Sequence, residues 1–190
     1  FADGTSGDDA IKGQMLYDHS LNKMMFYTNA EEAIRIDHEG RLLFGATTTK
    51  TIWGIDSFIQ VMGLTEDSSS VSIVRYTNDA YGSSLLLGKS RATSVGSRAA
   101  VAPDDLIGTI SFNGDDGQDV ANVSATISCY VDGATGWDDT PGRLVFATTS
   151  DNSNNQSERL RIDSAGHISL AGDTDTYIAH PAANELSVCT

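Results

Sequence analysis

Acidic side chains come in adjacent pairs along this chain: Asp8-Asp9, Glu31-Glu32, Asp104-Asp105, Asp115-Asp116 and Asp138-Asp139. Two carboxyls suffice for glycoside hydrolysis, but only when they face each other across a cleft. Adjacent carboxylates in Gly-, Asn- and Ser-rich stretches instead suit solvated turns. The stretch Asn113-Gly114-Asp115-Asp116-Gly117-Gln118-Asp119 places oxygen ligands at alternate positions, as a calcium loop does. It lacks the downstream bidentate Glu of an EF-hand, so no metal is assigned. His19, His38, His167 and His180 are widely spaced; rings of His19 or His180 around a symmetry axis are their one route to a metal. There is no Ser-His-Asp order, no nucleophile elbow and no Gly-rich phosphate loop. No catalytic residue and no cofactor is assigned, and the chain is expected not to be an enzyme.

Aromatic side chains in polar loops offer a different chemistry, because a flat apolar ring stacks on a pyranose. Trp137, in Gly136-Trp137-Asp138-Asp139, and Tyr81, in Asn78-Asp79-Ala80-Tyr81-Gly82, are the candidates for glycan contact. The competing reading is that both cover a core edge or a neighbouring subunit.

Across 190 residues, Asp and Glu number 26 against 12 Lys and Arg, a net charge of −14. Such a chain is not built to neutralise phosphates, so neither nucleic acid nor an anionic membrane surface is an expected partner. No apolar run reaches the length of about 18 residues that a spanning helix needs. Cys129 sits in an alternating apolar run and reads as a small buried hydrophobe, Cys189 lies near the end, and two cysteines make no disulfide framework.

The elements that must carry these loops read as strands. Short apolar or alternating runs are separated by Gly, Asp, Asn and Ser: Val71–Tyr76, Ser84–Leu87, Leu106–Phe112, Val123–Val131 and Arg143–Thr148. Gly is frequent, at 18 copies, and several fall in Asp-Gly or Ala-Gly turns where positive φ is needed. Ile52–Gln60 reads either as a short helix or as a strand.

A repeat organises the ends. Glu32-Ala33-Ile34-Arg35-Ile36-Asp37-His38-Glu39-Gly40-Arg41-Leu42-Leu43-Phe44 returns as Glu158-Arg159-Leu160-Arg161-Ile162-Asp163-Ser164-Ala165-Gly166-His167-Ile168-Ser169-Leu170. In a strand, Ile34 and Ile36 point to one face and Arg35 to the other. Asp and Gly then turn the chain, and Leu42 and Phe44 supply the apolar face of the returning strand. A fainter likeness relates Tyr17–Phe26 to Ile178–Val188, with His19 and His180 in matching places, which favours a structural role for both. The order of the hairpins is cut short after Val188, which predicts an internal fragment whose parent continues into another such hairpin. Residues from Ala183 onward are expected to be less ordered than the hairpin around Ile162.

The sequence therefore divides into hairpin repeats over 1–48, a central β domain over 49–150 and hairpin repeats over 151–190. A lone hairpin is marginal in water, because nothing covers its apolar face. Ile34, Ile36, Leu42, Phe44, Ile162, Ile168 and Leu170 need covering, and copies of the same chain would do so symmetrically.

Several phrases resemble a module of phage tail fibres: Pro141–Thr149 followed by Glu158–Gly166, preceded in order by Gly88–Arg91, Leu106–Phe112 and Val131–Gly133. The likeness extends to Tyr17–Ser20 and Phe26–Asn29 and spans nearly the whole chain. The resemblance implies an all-β homotrimeric fibre, with β-prism-like hairpin segments flanking a central antiparallel, sandwich-like β domain. It further implies a place in the virion, other tail-fibre segments as partners, and a host cell-surface polysaccharide or protein receptor. The alternatives are a tailspike depolymerase that cuts host polysaccharide and a bacterial surface adhesin.

Overall fold

The computed structural model describes residues 12–170, 177–179 and 186–189. His180 and Ala183 lie outside the described residues. Two compact units divide the chain, Phe1–Ser84 and Leu85–Thr190. All regular structure among the described residues is β, apart from one 3₁₀ turn at Asp67–Ser69.

The first unit holds a five-stranded sheet of β1 (Gly13–Asp18), β2 (Lys23–Thr28), β3 (Glu31–Ile36), β4 (Leu42–Phe44) and β5 (Ile59–Val61), in sequence order. The first four strands form an antiparallel meander, and β5 returns parallel to β4. Ile52–Gln60 contains no helix. Ile52 and Ile55 exchange backbone hydrogen bonds around Trp53 and Gly54, both at positive φ, and Ile59 then opens β5.

The second unit holds a seven-stranded antiparallel meander: β6 (Leu106–Gly114), β7 (Asn122–Val131), β8 (Gly142–Thr149), β9 (Gln156–Ile162), β10 (Ile168–Leu170), β11 (Tyr177–Ala179) and β12 (Ser187–Cys189). Strand pairing runs across both sequence-based boundaries, through β4–β5 at 48/49 and β8–β9 at 150/151.

The two repeat copies fold alike, almost bond for bond. Ile34, Arg35 and Ile36 face Phe44, Leu43 and Leu42; Leu160, Arg161 and Ile162 face Leu170, Ser169 and Ile168. Each turn closes through a backbone hydrogen bond, Asp37 N to Arg41 O at 3.0 Å and Asp163 N to His167 O at 3.1 Å. Gly40 and Gly166 both take φ +83°, which only glycine adopts at little cost. In each copy the aspartate Oδ1 accepts two backbone N–H bonds across the turn, from Glu39 and Arg41 or from Ala165 and His167.

The pairing of each hairpin with its preceding strand is interrupted by a bulge at the same place, Phe26/Tyr27 and Phe146/Ala147. A bulge shifts the alternation by one residue. It therefore brings Glu32 onto the face of Arg35, and Glu158 onto that of Arg161, although simple alternation would separate them. Both pairs close as parallel double hydrogen bonds, at 2.7 Å in the first copy and 2.9 Å in the second.

Two segments read as strands take another form. Val71–Tyr76 and Ser84–Leu87 belong to neither sheet. They have the composition of strands, but a strand also needs a partner, and among the described residues none pairs with them.

Candidate functional site

Registered neighbours share a sheet face, so the pairings define the two surfaces of each sheet. In the first unit, Met15 and Tyr17 of β1 align with Phe26 and Met24 of β2, these with Ile34 and Ile36, these with Phe44 and Leu42, and these with Val61 and Ile59. That face is apolar from edge to edge, yet none of these residues is buried; Ile59 is 65% exposed. The opposite face carries Met25, Leu43 and Gln60, which are buried, beside the Glu32–Arg35 pair. Residues 47–50 lie along it. Thr47 O accepts from Arg35 Nη1, Thr49 Oγ1 donates to Asp37 Oδ2 at 3.0 Å, and the Gln60 amide pairs with both backbone groups of Lys50 at 2.9 and 3.0 Å.

The second sheet repeats the arrangement. Ile110 and Phe112 align with Ile127 and Ala125, Ile127 and Cys129 with Phe146 and Leu144, then Leu160 and Ile162, then Leu170 and Ile168. These side chains are half-buried or exposed, while Thr126, Ser128, Val145, Ala147 and Ser169 on the other face are buried. The second face borders a polar cavity of about 270 Å³ lined by Tyr130, Arg143, Glu158 and Arg161 among others.

The expected assembly residues thus fall on two faces, Ile34, Ile36, Leu42 and Phe44 on the first sheet and Ile162, Ile168 and Leu170 on the second. Met24, Phe26, Ile59, Val61, Ile110, Phe112, Leu144 and Phe146 share those faces and were not singled out from the sequence. The signal was the alternation within each strand; what was missing was the register that joins one strand's alternation to the next. Cys129 is half-buried on the second apolar face.

Trp137 sits at the tip of the loop between β7 and β8, 95% exposed, in a turn closed by Gly136 N to Asp139 O at 2.9 Å. The base of this loop is fixed. Asp132 N donates to Pro141 O, and Thr135 Oγ1 donates to Val101 O. Arg143 spans Asp104 at 2.8 Å and Asp132 at 3.3 Å and lies over the Tyr130 ring at 5.0 Å. Burial opposes ionisation of Asp132, but the Ser164 backbone N–H, the Ser164 hydroxyl and Arg143 outweigh it and hold the carboxyl below its usual range.

Tyr81 is 75% exposed in a loop built on Asp79. One Asp79 oxygen accepts from Tyr81 N at 2.9 Å, and the other takes Arg75 at 2.5 Å and Thr77 Oγ1 at 3.0 Å; Arg75 also approaches the Tyr81 ring at 5.9 Å. Tyr81 belongs to the first unit and Trp137 to the second.

The paired carboxylates have separate employments. Asp105 accepts from Arg91 Nε and Nη2, at 2.6 and 2.7 Å, and from Ala102 N, while Asp104 turns to Arg143. The Arg91 hydrogen bond, with the Ala102 N–H, drives the Asp105 carboxyl far below its usual range. Asp115, Asp116 and Asp119 each accept a backbone N–H two residues ahead, forming successive turns. Among the described residues no three His, Cys, Asp or Glu side chains gather to hold a metal, and no helix is long and apolar enough to cross a membrane. The His19 ring stands edge-on to Tyr17 at 4.7 Å.

No protein-family description matches this chain, and no curated protein does. Its fold is similar to that of the carboxy-terminal domain of the L-shaped tail fibre of bacteriophage T5. One structure of that domain superposes with a TM-score of 0.63 at 12% identity, over 83% of this chain and 68% of the other. A second, which includes that fibre's intramolecular chaperone domain, gives 0.64 at 13%, over 83% of this chain and 47% of the other.

Proposed function

We propose that this chain is a structural segment of a phage tail fibre in the virion. It assembles as a homotrimer through the apolar faces of its two sheets, and it joins other fibre segments. The carrying observation is the open apolar face of both sheets: the large aliphatic and aromatic rows are left uncovered, and in the second sheet mainly small and polar residues are buried on the opposite face. Apolar surface of that extent marks an association surface. The fold shared with a tail-fibre domain supports the fibre assignment, and threefold symmetry is what the sequence resemblance implies.

Trp137 and Tyr81, on braced loops, are the contacts offered to a host cell-surface polysaccharide or protein receptor. The role is attachment rather than catalysis. In support, Asp104 and Asp105 are engaged by different arginines, and Asp115 and Asp116 by backbone N–H groups. Sedimentation or native mass spectrometry at micromolar concentration is expected to give a trimer, and a stable monomer would overturn the assembly. Incubation with host capsule or lipopolysaccharide is expected to leave chain length unchanged; release of oligosaccharides would replace this reading with a depolymerase.

A further inference from the structure

Two features of the chain are complementary and unused. The first is the segment Val71–Tyr76, which has no backbone–backbone hydrogen bond among the described residues. Its side chains stand in solvent, Ile73 at 57% and Tyr76 at 93% exposure. Unpaired backbone N–H and C=O groups beside apolar side chains that must leave water are the requirements of a strand awaiting its partner.

The second feature is the outer edge of β6. It is the longest edge strand of either sheet, nine residues against six for β1 and three each for β5 and β12. Half of its backbone groups point away from β7. Between its two bulges, Gly108 to Phe112 pairs regularly with β7, so five consecutive residues present a straight edge. Ile110 and Phe112 carry exposed apolar side chains along it. A long apolar edge of this kind is normally covered. Leu87 of the same chain lies against Gly108, on the face that Gly108 shares with Ile110 and Phe112; a Cβ on Gly108 would stand 2.7 Å from the Leu87 Cβ.

We infer that Val71–Tyr76 of one copy adds as a strand to the β6 edge of a neighbouring copy, locking subunits together by backbone pairing. This rests on the oligomeric reading above. The lengths match, the alternation of Val71 and Ile73 continues the apolar row of Ile110 and Phe112, and each element supplies the hydrogen bonds the other lacks. Strand addition draws its affinity from main-chain hydrogen bonds and its register from the alternating side chains.

Amide hydrogen exchange on the intact oligomer tests this. Among the described residues no backbone hydrogen bond within one chain reaches residues 71–76, so the contrast is sharp. The alternate amides of 71–76 and the outward amides of Gly108–Phe112 are expected to exchange at least about 100-fold more slowly than unstructured chain, as paired strands do. An Ile73→Pro variant removes one donor and its pairing geometry. It is expected to lose protection at Gly108–Phe112, whereas Ile73→Ala, which keeps the N–H, retains it. Fast exchange of 71–76 in an intact oligomer would overturn the strand exchange and leave the assembly standing. So would unchanged β6 protection in Ile73→Pro. Protection of 71–76 with an unprotected β6 edge would also overturn it, assigning the segment to another partner. A monomeric parent would overturn both readings.

Discussion

Asp37→Asn isolates the turn that both repeat copies share. The Asp37 carboxylate accepts four hydrogen bonds: Glu39 N at 3.1 Å and Arg41 N at 2.9 Å on Oδ1, and Arg41 Nε at 2.7 Å and Thr49 Oγ1 at 3.0 Å on Oδ2. Burial opposes its ionisation, but the Arg41 side chain, the Arg41 N–H and the Thr49 hydroxyl outweigh it and bring the carboxyl from 3.8 to about 2. That fall corresponds to about 2.4 kcal/mol of preference for the charged form. The turn lies at the surface, where screening leaves on the order of 1 kcal/mol. Because the folded value is depressed, this stability is present above about pH 4 and is lost as pH falls through about 2. The variant puts an amide NH₂ or an uncharged oxygen against the Arg41 guanidinium. At pH 7 it is expected to melt about 2–4 °C below the parent. Thermal unfolding of both proteins at one concentration should show the gap closing as pH falls from 4 to 2. A gap that stays constant over that range would refute the electrostatic argument, and no gap at pH 7 would refute the turn as a source of stability.

Ile36→Asp and Ile162→Asp place a charge on the apolar faces and are each expected to abolish or greatly weaken assembly in sedimentation, because a charge there has no partner in either sheet; assembly and melting like the parent would reject the face assignment. Asp115 and Asp116 changed together to Asn should lower the melting temperature by at most about 2 °C, since Asn also accepts in an Asx turn, and added chelator should change nothing. Trp137→Ala, at a side chain 95% exposed, should leave the melting temperature unchanged while reducing retention on host-surface polysaccharide; equal retention would remove Trp137 from the contact surface.

Local structure was legible where alternation and turn chemistry agreed. Leu106–Phe112, Val123–Val131 and Arg143–Thr148 are strands, and the Asp-x-x-Gly turns at Asp37 and Asp163 close as their residue types demand. Features fixed by register were not legible. The bulges that bring Glu32 to Arg35 and Glu158 to Arg161 depend on the preceding strand, and a single alternating run does not show them. Ile52–Gln60 left helix and strand open, and what decides the end of it is not local: the Gln60 amide stands in for a backbone partner to Lys50 as the chain comes back beside β4. Val71–Tyr76 shows the limit from the other side. Its composition is that of a strand, but pairing is a property of two segments, and only one of them lies in this chain's own sheets. Trp137 and Tyr81 were legible as exposed rings, because Gly, Asp and Asn around them leave no apolar surface to fold against.

The arrangement of the two faces bears on how this protein gains its stability. A sheet that folds alone buries its large aliphatic side chains and leaves its small polar ones to water. Here Thr126, Ser128, Ala147 and Ser169 are buried, while Ile110, Phe112 and Leu170 are exposed. Leu43 and Val131 are the largest fully buried side chains among the described residues. Cores that thin do not offset the backbone entropy of the strands they would have to order, about 1–2 kcal/mol per residue. On the proposed assembly the missing apolar burial comes from association, so folding and trimerisation are one equilibrium. The melting temperature should then rise with protein concentration, and far-UV circular dichroism and sedimentation should report the same transition. A melting temperature independent of concentration over a hundredfold range, with reversible unfolding, would show that the separated chain is stable and that its open faces are not what holds copies together.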